Sequence, residues 1–578
     1  MPIFLTLLTN RILTIVFCLA ATVFTAQAAT LTVTKTADTN DNSCNADCSL
    51  REAIYAAAPD DTIVFASPLF DSPQTITLLG ETGFGNLLID KNLTITGKGA
   101  NLLTVRRLSS APLFRVFEIV GARVNLSGMT ITGGSVNGRG GGISAFNSTL
   151  TINGCHVTGN TSSAGGGGIS SLSEIEDAGL HIVNSTVSDN TSHDAGFDGA
   201  GGGVDNYYCV MTITNSTISG NVRNGGESGA GGIFALSSSV STITNSTITD
   251  NGAVGAGSAG GIRVQSGAVN FRSTIVAANR NNAAMPDIVA AMGNTFDEVT
   301  SQGYNFIGNP GILTRFNQTG DQTGTSSAAL NPLLDPLGSN GGATPTHRPQ
   351  PNSPAIDKGN SSSLTTDQRG SVRPVENLTI ANAAGGDGSD IGAFETSAAL
   401  IVTNPADTTV GACDSDCTLR EAIAAAGTGN TIEFSSLFNA PQIITLSDAA
   451  SLQGLIISKN LTINGKGANL LTVRRNPASS VNFRVFTVSG ASVILKGMTV
   501  TGGRTFGANA RSGGIHSESN ASLTIDGCHI TDNEITSVSA VKGGGISALN
   551  GTLVINNSTI SNNRVISGST TNSGGGIF

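Results

Sequence analysis

Two pairs of cysteines are the residues whose type and spacing most directly suggest chemistry. Cys44 and Cys48 are separated by three residues, and Cys413 and Cys417 repeat that spacing. Thiols this close form a local disulfide in an oxidising compartment, whereas a zinc site would need further ligands at a matching spacing. No histidine pair accompanies either cysteine pair, so we predict two local disulfides, with metal binding as the alternative.

An acidic segment surrounds the first cysteine pair. Asp38, Asp41 and Asp47 carry the hard oxygen ligands that Ca²⁺ prefers. The glycine that an EF-hand loop requires is absent, and the second half of the chain keeps few of these residues. We therefore expect a solvated loop and no cofactor, with Ca²⁺ as the open alternative. A later set of charged residues should form ion pairs that stiffen the fold; its members are Asp367, Arg369, Arg373, Asp390 and Glu395.

Carboxylates that could serve a polysaccharide-cleaving enzyme are scattered. Such a hydrolase needs two carboxylates across a cleft, and no recurring pair stands out in the sequence. His156 and His529 are single residues that we expect at the surface, and the chain has no tryptophan to stack on sugar rings. We predict no catalytic residues, and a lyase or glycoside hydrolase remains the alternative. The acidic candidates are Asp189, Asp205, Asp250, Asp526 and Asp532.

Repeated phrases identify the elements that must position these side chains. An Asn-Ser-Thr-Ile/Val phrase begins at residues 184, 215, 245 and 557, and a Gly-Gly-Ile/Val phrase alternates with it. The phrases that begin at residues 184, 215 and 245 recur about every 30 residues, which is typical of a solenoid. Apolar and polar residues alternate around each phrase, as Leu150, Ile152 and Val157 illustrate. Short strands of this kind predict an all-β fold, a right-handed parallel β-helix with coils about 4.8 Å apart.

The asparagines of these phrases are predicted to be structural. Asparagine tolerates left-handed turn geometry, and stacked amide side chains can hydrogen-bond into a ladder. Several lie in glycosylation sequons, but we favour ladders. One turn position holds Asn184, Asn215, Asn245 and Asn557, and another holds Asn160, Asn190, Asn221 and Asn251.

The chain contains two copies of one module. Each copy opens with a capping box in front of an apolar helical stripe: Ser49 with Glu52, and Thr418 with Glu421. We expect these two short helices to cap the first coil of each solenoid. The predicted divisions are a signal peptide (1–28), a cap and β-helix (29–300), a distinct segment (301–397) and a second, truncated cap and β-helix (398–578).

Charge and targeting features restrict the location and partners. The net charge of −10 disfavours nucleic acid and anionic membranes as partners. Arg11, the apolar run from Ile12 to Phe24 and the Ala26-Gln27-Ala28 sequence predict an exported protein, with a membrane anchor as the less favoured alternative. No later stretch is predicted to cross a bilayer.

Specific motifs add a family resemblance. Cys44–Ile54 and Cys413–Ile423 resemble the CSLREA domain of bacterial surface proteins. The coils resemble polymorphic outer-membrane protein repeats, and residues 301–395 resemble the choice-of-anchor Q domain through phrases such as Gly303–Gly308 and Asp390–Glu395. The resemblance implies a secreted or cell-surface, adhesin-type β-helix, extracellular or at the outer membrane. Its expected partner is an extracellular or cell-envelope surface, including polysaccharide.

Overall fold

The computed structural model describes most of the chain from residue 28 onward. The described ranges are 28–80, 85–175, 178–193, 200–226, 228–255, 257–279, 286–290, 298–377, 380–396, 400–408, 413, 416–427, 430–449, 454–507, 510–537, 543–567 and 574–578. The predicted signal peptide lies outside these residues, apart from Ala28.

Each module is a parallel β-helix whose coils have three faces, so the predicted fold class is confirmed. One coil runs through Ile143–Phe146 on the first face, Thr149–Asn153 on the second and His156–Thr158 on the third. Each strand pairs in parallel with the same strand of the coils above and below. This arrangement satisfies the backbone donors and acceptors of short strands that would be unstable alone.

The strands of module 1 follow the faces in order. The first face contains Leu87–Ile89, Phe117–Val120, Ile143–Phe146, Ile169–Leu172, Val204–Tyr207 and Ile288–Ala290, and Ile233–Thr244 and Ile262–Arg272 run on into the second face. The second face also contains Thr30–Val33, Asp61–Phe65, Leu93–Thr96, Arg123–Ser127, Thr149–Asn153, Gly179–Val183, Val210–Thr214 and Glu298–Ser301. The third face contains Gln74–Leu78, Leu103–Arg107, Thr130–Thr132, His156–Thr158, Thr186–Ser188, Thr217–Ser219, Thr247–Thr249, Ile275–Val276, Phe306–Ile307 and Gln322–Thr323. Short corner strands are Ser135–Val136, Thr161–Ser162, Thr191–Ser192, Val222–Arg223 and Gly252–Ala253.

Module 2 repeats this arrangement. Its first face contains Leu455–Ile457, Phe486–Ser489, Ile515–Glu518 and Ile546–Ala548. Its second face contains Leu400–Val402, Asn430–Phe434, Leu461–Asn464, Ser492–Lys496, Ser522–Asp526 and Thr552–Asn556. Its third face contains Gln442–Leu446, Leu471–Arg475, Thr499–Thr501, His529–Thr531 and Thr559–Ser561, and its corner strands are Arg504–Phe506, Glu534–Ser537 and Arg564–Ser567.

The inward residues form a separate apolar core in each module. Leu150, Ile152 and Val157 are fully buried in the first core, and Phe486 is fully buried in the second. Burying one such side chain contributes about 1.5–3 kcal/mol, so the stack of coils, rather than any single coil, stabilises the fold.

The predicted cap helices are present. Helix α1, Leu50–Ala56, begins after Ser49, whose side chain accepts a hydrogen bond from the Glu52 backbone while Glu52 accepts one from the Ser49 backbone. Helix α2, Leu419–Ala425, has the same capping box. Two 3-10 turns, Leu69–Asp71 and Ser436–Asn439, follow the next strands. No helix among the described residues is long and apolar enough to cross a membrane.

An irregular segment packs along the outside of module 1. We call residues 344–377 and 380–395 the strap. The strap lies on the third face, where Ala355 and Ile391 join Ile275 and Phe306 in a small apolar cluster. It covers the strands Thr186–Ser188, Thr217–Ser219 and Thr247–Thr249, and all nine residues of these strands are buried.

Candidate functional site

One of the two asparagine positions forms a continuous internal ladder. The amide nitrogen Nδ2 of each asparagine donates to Oδ1 of the next at 2.9 Å, through Asn160, Asn190, Asn221 and Asn251. The four side chains are fully buried. The ladder continues through Asn279 to the buried carboxylate of Asp287, which accepts the last amide at 2.9 Å. Module 2 contains a corresponding step from Asn533 to Asn563 at 3.0 Å.

The other asparagine position does not form a ladder, which corrects the sequence interpretation. Asn184, Asn215, Asn245 and Asn557 have φ values of 47–49°, so each occupies the left-handed turn position as expected. Their amides bond elsewhere: Asn215 to the Thr366 carbonyl and Asn245 to the Ser361 carbonyl, both in the strap, and Asn184 and Asn557 to nearby Asn153 and Asp526. The turn presents the amide outward, where it bonds to whichever group lies beside the coil.

The repeated phrase is therefore the surface to which the strap binds. Thr186 Oγ1 donates to the Pro345 carbonyl at 2.6 Å, and Thr217 Oγ1 donates to Gln368 Oε1 at 2.6 Å. Gln368 Nε2 donates in turn to Thr186 Oγ1 and Thr344 Oγ1 at 2.8 and 2.9 Å. Because these groups are buried, removing the Gln368 amide would leave the Thr217 hydroxyl without its acceptor.

A serine–histidine pair joins the second covered coil to the strap. Ser219 Oγ lies 2.7 Å from His347 Nε2, and His347 Nδ1 lies 2.8 Å from the Asp335 carbonyl oxygen. A carbonyl can only accept, so Nδ1 carries the proton and Nε2 accepts the serine hydroxyl. Burial lowers the pKa of His347, which keeps the imidazole neutral at pH 7. The geometry is that of a nucleophile and a base, but both side chains are buried and here they attach the strap.

An open groove of about 550 Å³ lies beside this pair. Ser219, Leu337 and two carboxylates line it, those of Asp189 and Asp250. These two residues hold the same turn position in coils two apart, with Gly220 between them, and all three have positive φ. From the coil spacing their backbones are about 9.6 Å apart. The sequence did not reveal this pair.

The predicted ion pairs of the strap are present and buried. Arg373 bonds Glu395 at 2.8 Å and reaches Asn215 on the coil at 3.3 Å. Burial raises the pKa of Glu395 and of neighbouring Asp390, and the Arg373 guanidinium opposes the rise. Burial and the nearby Asp390 carboxylate raise the pKa of Asp357 to about 6.

The acidic residues proposed for Ca²⁺ are engaged in other interactions. Asp38 pairs with Arg51 at 2.7 Å, and Asp47 pairs with Lys35 at 3.0 Å. Asp41 accepts the Ser43 backbone N–H in a local turn. Across the part of the chain that the structure describes, no group of three or more His, Cys, Asp or Glu residues could hold a metal ion.

The two predicted disulfides are confirmed. Cys44 bonds to Cys48, and Cys413 bonds to Cys417, with Cα atoms 4.6 and 4.3 Å apart. Both lie immediately before a cap helix. His347 and Gln368 were not identified as contact residues from the sequence, although both lie in the segment 301–397 that the sequence analysis sets apart.

Comparison with known proteins adds a likeness of fold alone. No protein-family model matches the chain, and no curated protein matches it. Among solved structures, pectate lyase Pel9A is 14% identical, with 64% of this chain and 97% of that chain covered and a TM-score of 0.30. The PL6 family alginate lyase AlyGC is 11% identical, with 91% and 84% covered and a TM-score of 0.17. The parallel strand pairing of the chain itself establishes the β-helix.

Proposed function

We propose that this chain is an exported β-helical scaffold displayed at a bacterial cell surface, an adhesin-type protein related to CSLREA and choice-of-anchor Q proteins. The observation that carries the proposal is the coil stack of module 1, held inside by the buried amide ladder and outside by the strap. A ladder and an outer strap resist bending and fraying of the coils. Such a rod can hold a binding surface away from a cell.

The test is binding of the mature chain to isolated cell envelopes. The fluorescently labelled chain from residue 29 should sediment with envelope material and saturate, and unlabelled chain should compete. The variant Gln368→Ala, which removes one contact of the strap, tests whether binding requires the strap to be firmly attached. Sedimentation no better than that of an unrelated protein of similar charge would refute the scaffold proposal.

A polysaccharide-cleaving enzyme is the second candidate, and the groove between Asp189 and Asp250 favours it. Their backbones are about 9.6 Å apart, slightly more than the roughly 6.5–9.5 Å that separates the carboxyl groups themselves in inverting glycosidases. Turnover of an extracellular polysaccharide by pure protein, abolished by Asp189→Asn or Asp250→Asn, would establish this alternative. Turnover that both variants retain would locate the activity elsewhere.

A further inference from the structure

The outward side chains of the third face are nearly the same in the two modules. Two columns of outward residues run through the five coils that both modules share, and nine of the ten positions hold the same residue type. The matching pairs are Thr77/Thr445, Thr104/Thr472, Arg106/Arg474, Thr130/Thr499, Thr132/Thr501, His156/His529, Thr158/Thr531, Thr186/Thr559 and Ser188/Ser561; Thr75/Ile443 is the exception.

The second face of the same coils has diverged. Its two corresponding columns keep the same residue type at three of ten positions. The matches are Thr62/Thr431, Thr94/Thr462 and Thr151/Thr524; the differences are Val64/Glu433, Thr96/Asn464, Asn125/Ile494, Ser127/Lys496, Asn153/Asp526, His181/Val554 and Val183/Asn556. The second faces of the two modules therefore keep the same coil structure with different outward residues.

Hydrogen bonds between outward side chains occur on both faces, and on the third face those of Arg106 and Ser188 recur at Arg474 and Ser561 in module 2. On the third face, His156 and His529 bond the serine of the next coil at 2.8 Å in both modules. On the second face, His181 bonds Thr212 at 2.7 Å, yet module 2 has Val554 at the position of His181. A bond between outward side chains is thus not enough to retain them.

The covered part of the same columns shows what this face binds. In module 1 the columns continue into Thr217, Ser219 and Thr247, which bond Gln368, His347 and the Ala393 backbone N–H of the strap. The partner there is an irregular polypeptide bound through its carbonyls, amides and an imidazole. The adjoining rows Thr130/Thr132 and His156/Thr158 present similar groups and are half-exposed.

We infer that the half-exposed rows of the third face, in both modules, are a docking surface for an extended polypeptide segment of a partner protein. The segment should be like strap residues 344–347: uncharged, with proline and threonine, and with an imidazole or amide side chain. In module 1 the rows are Thr104 with Arg106, Thr130 with Thr132, and His156 with Thr158. In module 2 they are Thr472 with Arg474, Thr499 with Thr501, and His529 with Thr531, of which Thr531 is buried. This inference deepens the proposed scaffold function and rests on it.

The test uses the whole mature chain and a biotinylated peptide with the sequence of residues 340–347, which contains no Asp, Glu, Lys or Arg, with a scrambled peptide as reference. The double variant Thr132→Lys/Thr501→Lys places a lysine on the surface of each module. Its matched control is Thr151→Lys/Thr524→Lys, which alters half-exposed threonines on the second face. Unchanged thermal unfolding of both variants establishes that they are folded.

We expect the peptide, titrated to millimolar concentration, to bind the wild-type chain and the second-face control equally. The third-face variant should bind at least about tenfold more weakly, which is about 1.4 kcal/mol. Absence of peptide binding, or equal binding to all three proteins, would overturn the inference. So would binding of a soluble neutral β-glucan that only the third-face variant loses, because the surface would then belong to polysaccharide. Envelope sedimentation, measured in parallel, tests the scaffold proposal separately.

Discussion

At the scale of the residue, the asparagines of the repeated phrase divide into two roles according to the direction of the side chain. Asn221 points inward and uses its amide within the coil stack, whereas Asn215 points outward and bonds the strap. The two residues are only six positions apart, and both belong to one turn-rich phrase. The direction of each side chain, rather than the residue type, decides which contact it makes.

The inward role predicts a large cost for Asn221→Ala. The Asn221 amide donates to Asn251 Oδ1 and the Val187 carbonyl, and its Oδ1 accepts from Asn190. Removing it leaves several buried groups without a partner, so stability should fall by about 2–4 kcal/mol. Thermal or urea unfolding measures the change. Asn557→Gly, at an exposed asparagine whose positive φ glycine adopts freely, is the matched control and should change stability by less than about 0.5 kcal/mol; equal effects would contradict the ladder.

The buried carboxyl group of Asp357 predicts that the free energy of unfolding depends on pH. Its carboxyl is fully buried, its pKa is raised to about 6, and among the described residues its Oδ1 has no hydrogen-bond partner. The folded state holds this proton after the unfolded state has released it. The stabilising contribution is therefore complete below about pH 4 and is lost as the pH rises to about 6.

Asp357→Asn removes the charge that burial disfavours. The variant should be more stable than wild type at pH 7, by up to about 3 kcal/mol, and the two should converge near pH 4. Thermal unfolding at pH 4, 5, 6 and 7 gives the difference in stability between the variant and the wild type. Groups that titrate in the same way in both proteins do not contribute to this difference. A variant that is less stable than wild type at pH 7 would show that the carboxylate is needed in its ionised form.

At the scale of the element, the strap is attached to separate coils by polar contacts and by a small apolar cluster. Gln368 connects Thr186 and Thr217 of neighbouring coils to Thr344 of the strap. The buried pair of Arg373 and Glu395 supports the same region, and removing one partner of such a pair is strongly destabilising. The strap is thus attached to coils that fold through their own core.

Gln368→Ala should loosen the strap while leaving the coils folded. Limited proteolysis should cleave within residues 344–395 at least about tenfold faster, because opening would cost about 1.4 kcal/mol less. Far-ultraviolet circular dichroism should change little. Gln350→Ala, at a half-buried glutamine with one long contact to Leu334, is the control and should behave like wild type. Loss of the β-sheet signal in Gln368→Ala would show that coils and strap fold together.

At the scale of the whole molecule, two separate apolar cores predict two unfolding events. One core extends from Val33 to Phe316 and the other from Val402 to Ile546. Each has its own cap helix and disulfide at its beginning. The modules should therefore respond separately to a change in one core.

Phe117 and Phe486 occupy equivalent, fully buried positions in the two cores. Phe117→Ala should lower the temperature of one calorimetric transition, and Phe486→Ala that of the other. In each case the free energy of unfolding of the affected module should fall by about 3–5 kcal/mol. Differential scanning calorimetry of the wild type and both variants makes the comparison. A single transition that both variants shift together would mean that the modules unfold as one unit.

Much of the fold follows from local patterns. Alternating apolar residues, such as Leu150 and Ile152, identify the inward positions because side chains of a strand point to opposite faces. Ser49 and Glu52 mark the start of a helix because the capping box acts within four residues. Cys44 and Cys48 are close enough to bond whatever the rest of the chain does.

The candidate site could not be predicted in the same way. Ser219 and His347 lie 128 positions apart, and Gln368 lies 151 positions from Thr217. The sequence of the strap lacks the repeat pattern of the coils, so it does not predict which face of the solenoid the strap covers. Asp189 and Asp250 hold the same position of the repeated phrase, but the sequence does not show that a groove lies beside both of them.

The amino-acid sequence by itself determined the parallel β-helix, its inward residues, its cap helices and its disulfides, because each depends on contacts within a repeat or between identical repeats. Only the tertiary structure decided which polar residues are covered and which remain available for binding. The physical reason is that an outward threonine is the same residue in either case. Its role depends on whether a distant segment, such as the strap, removes it from water.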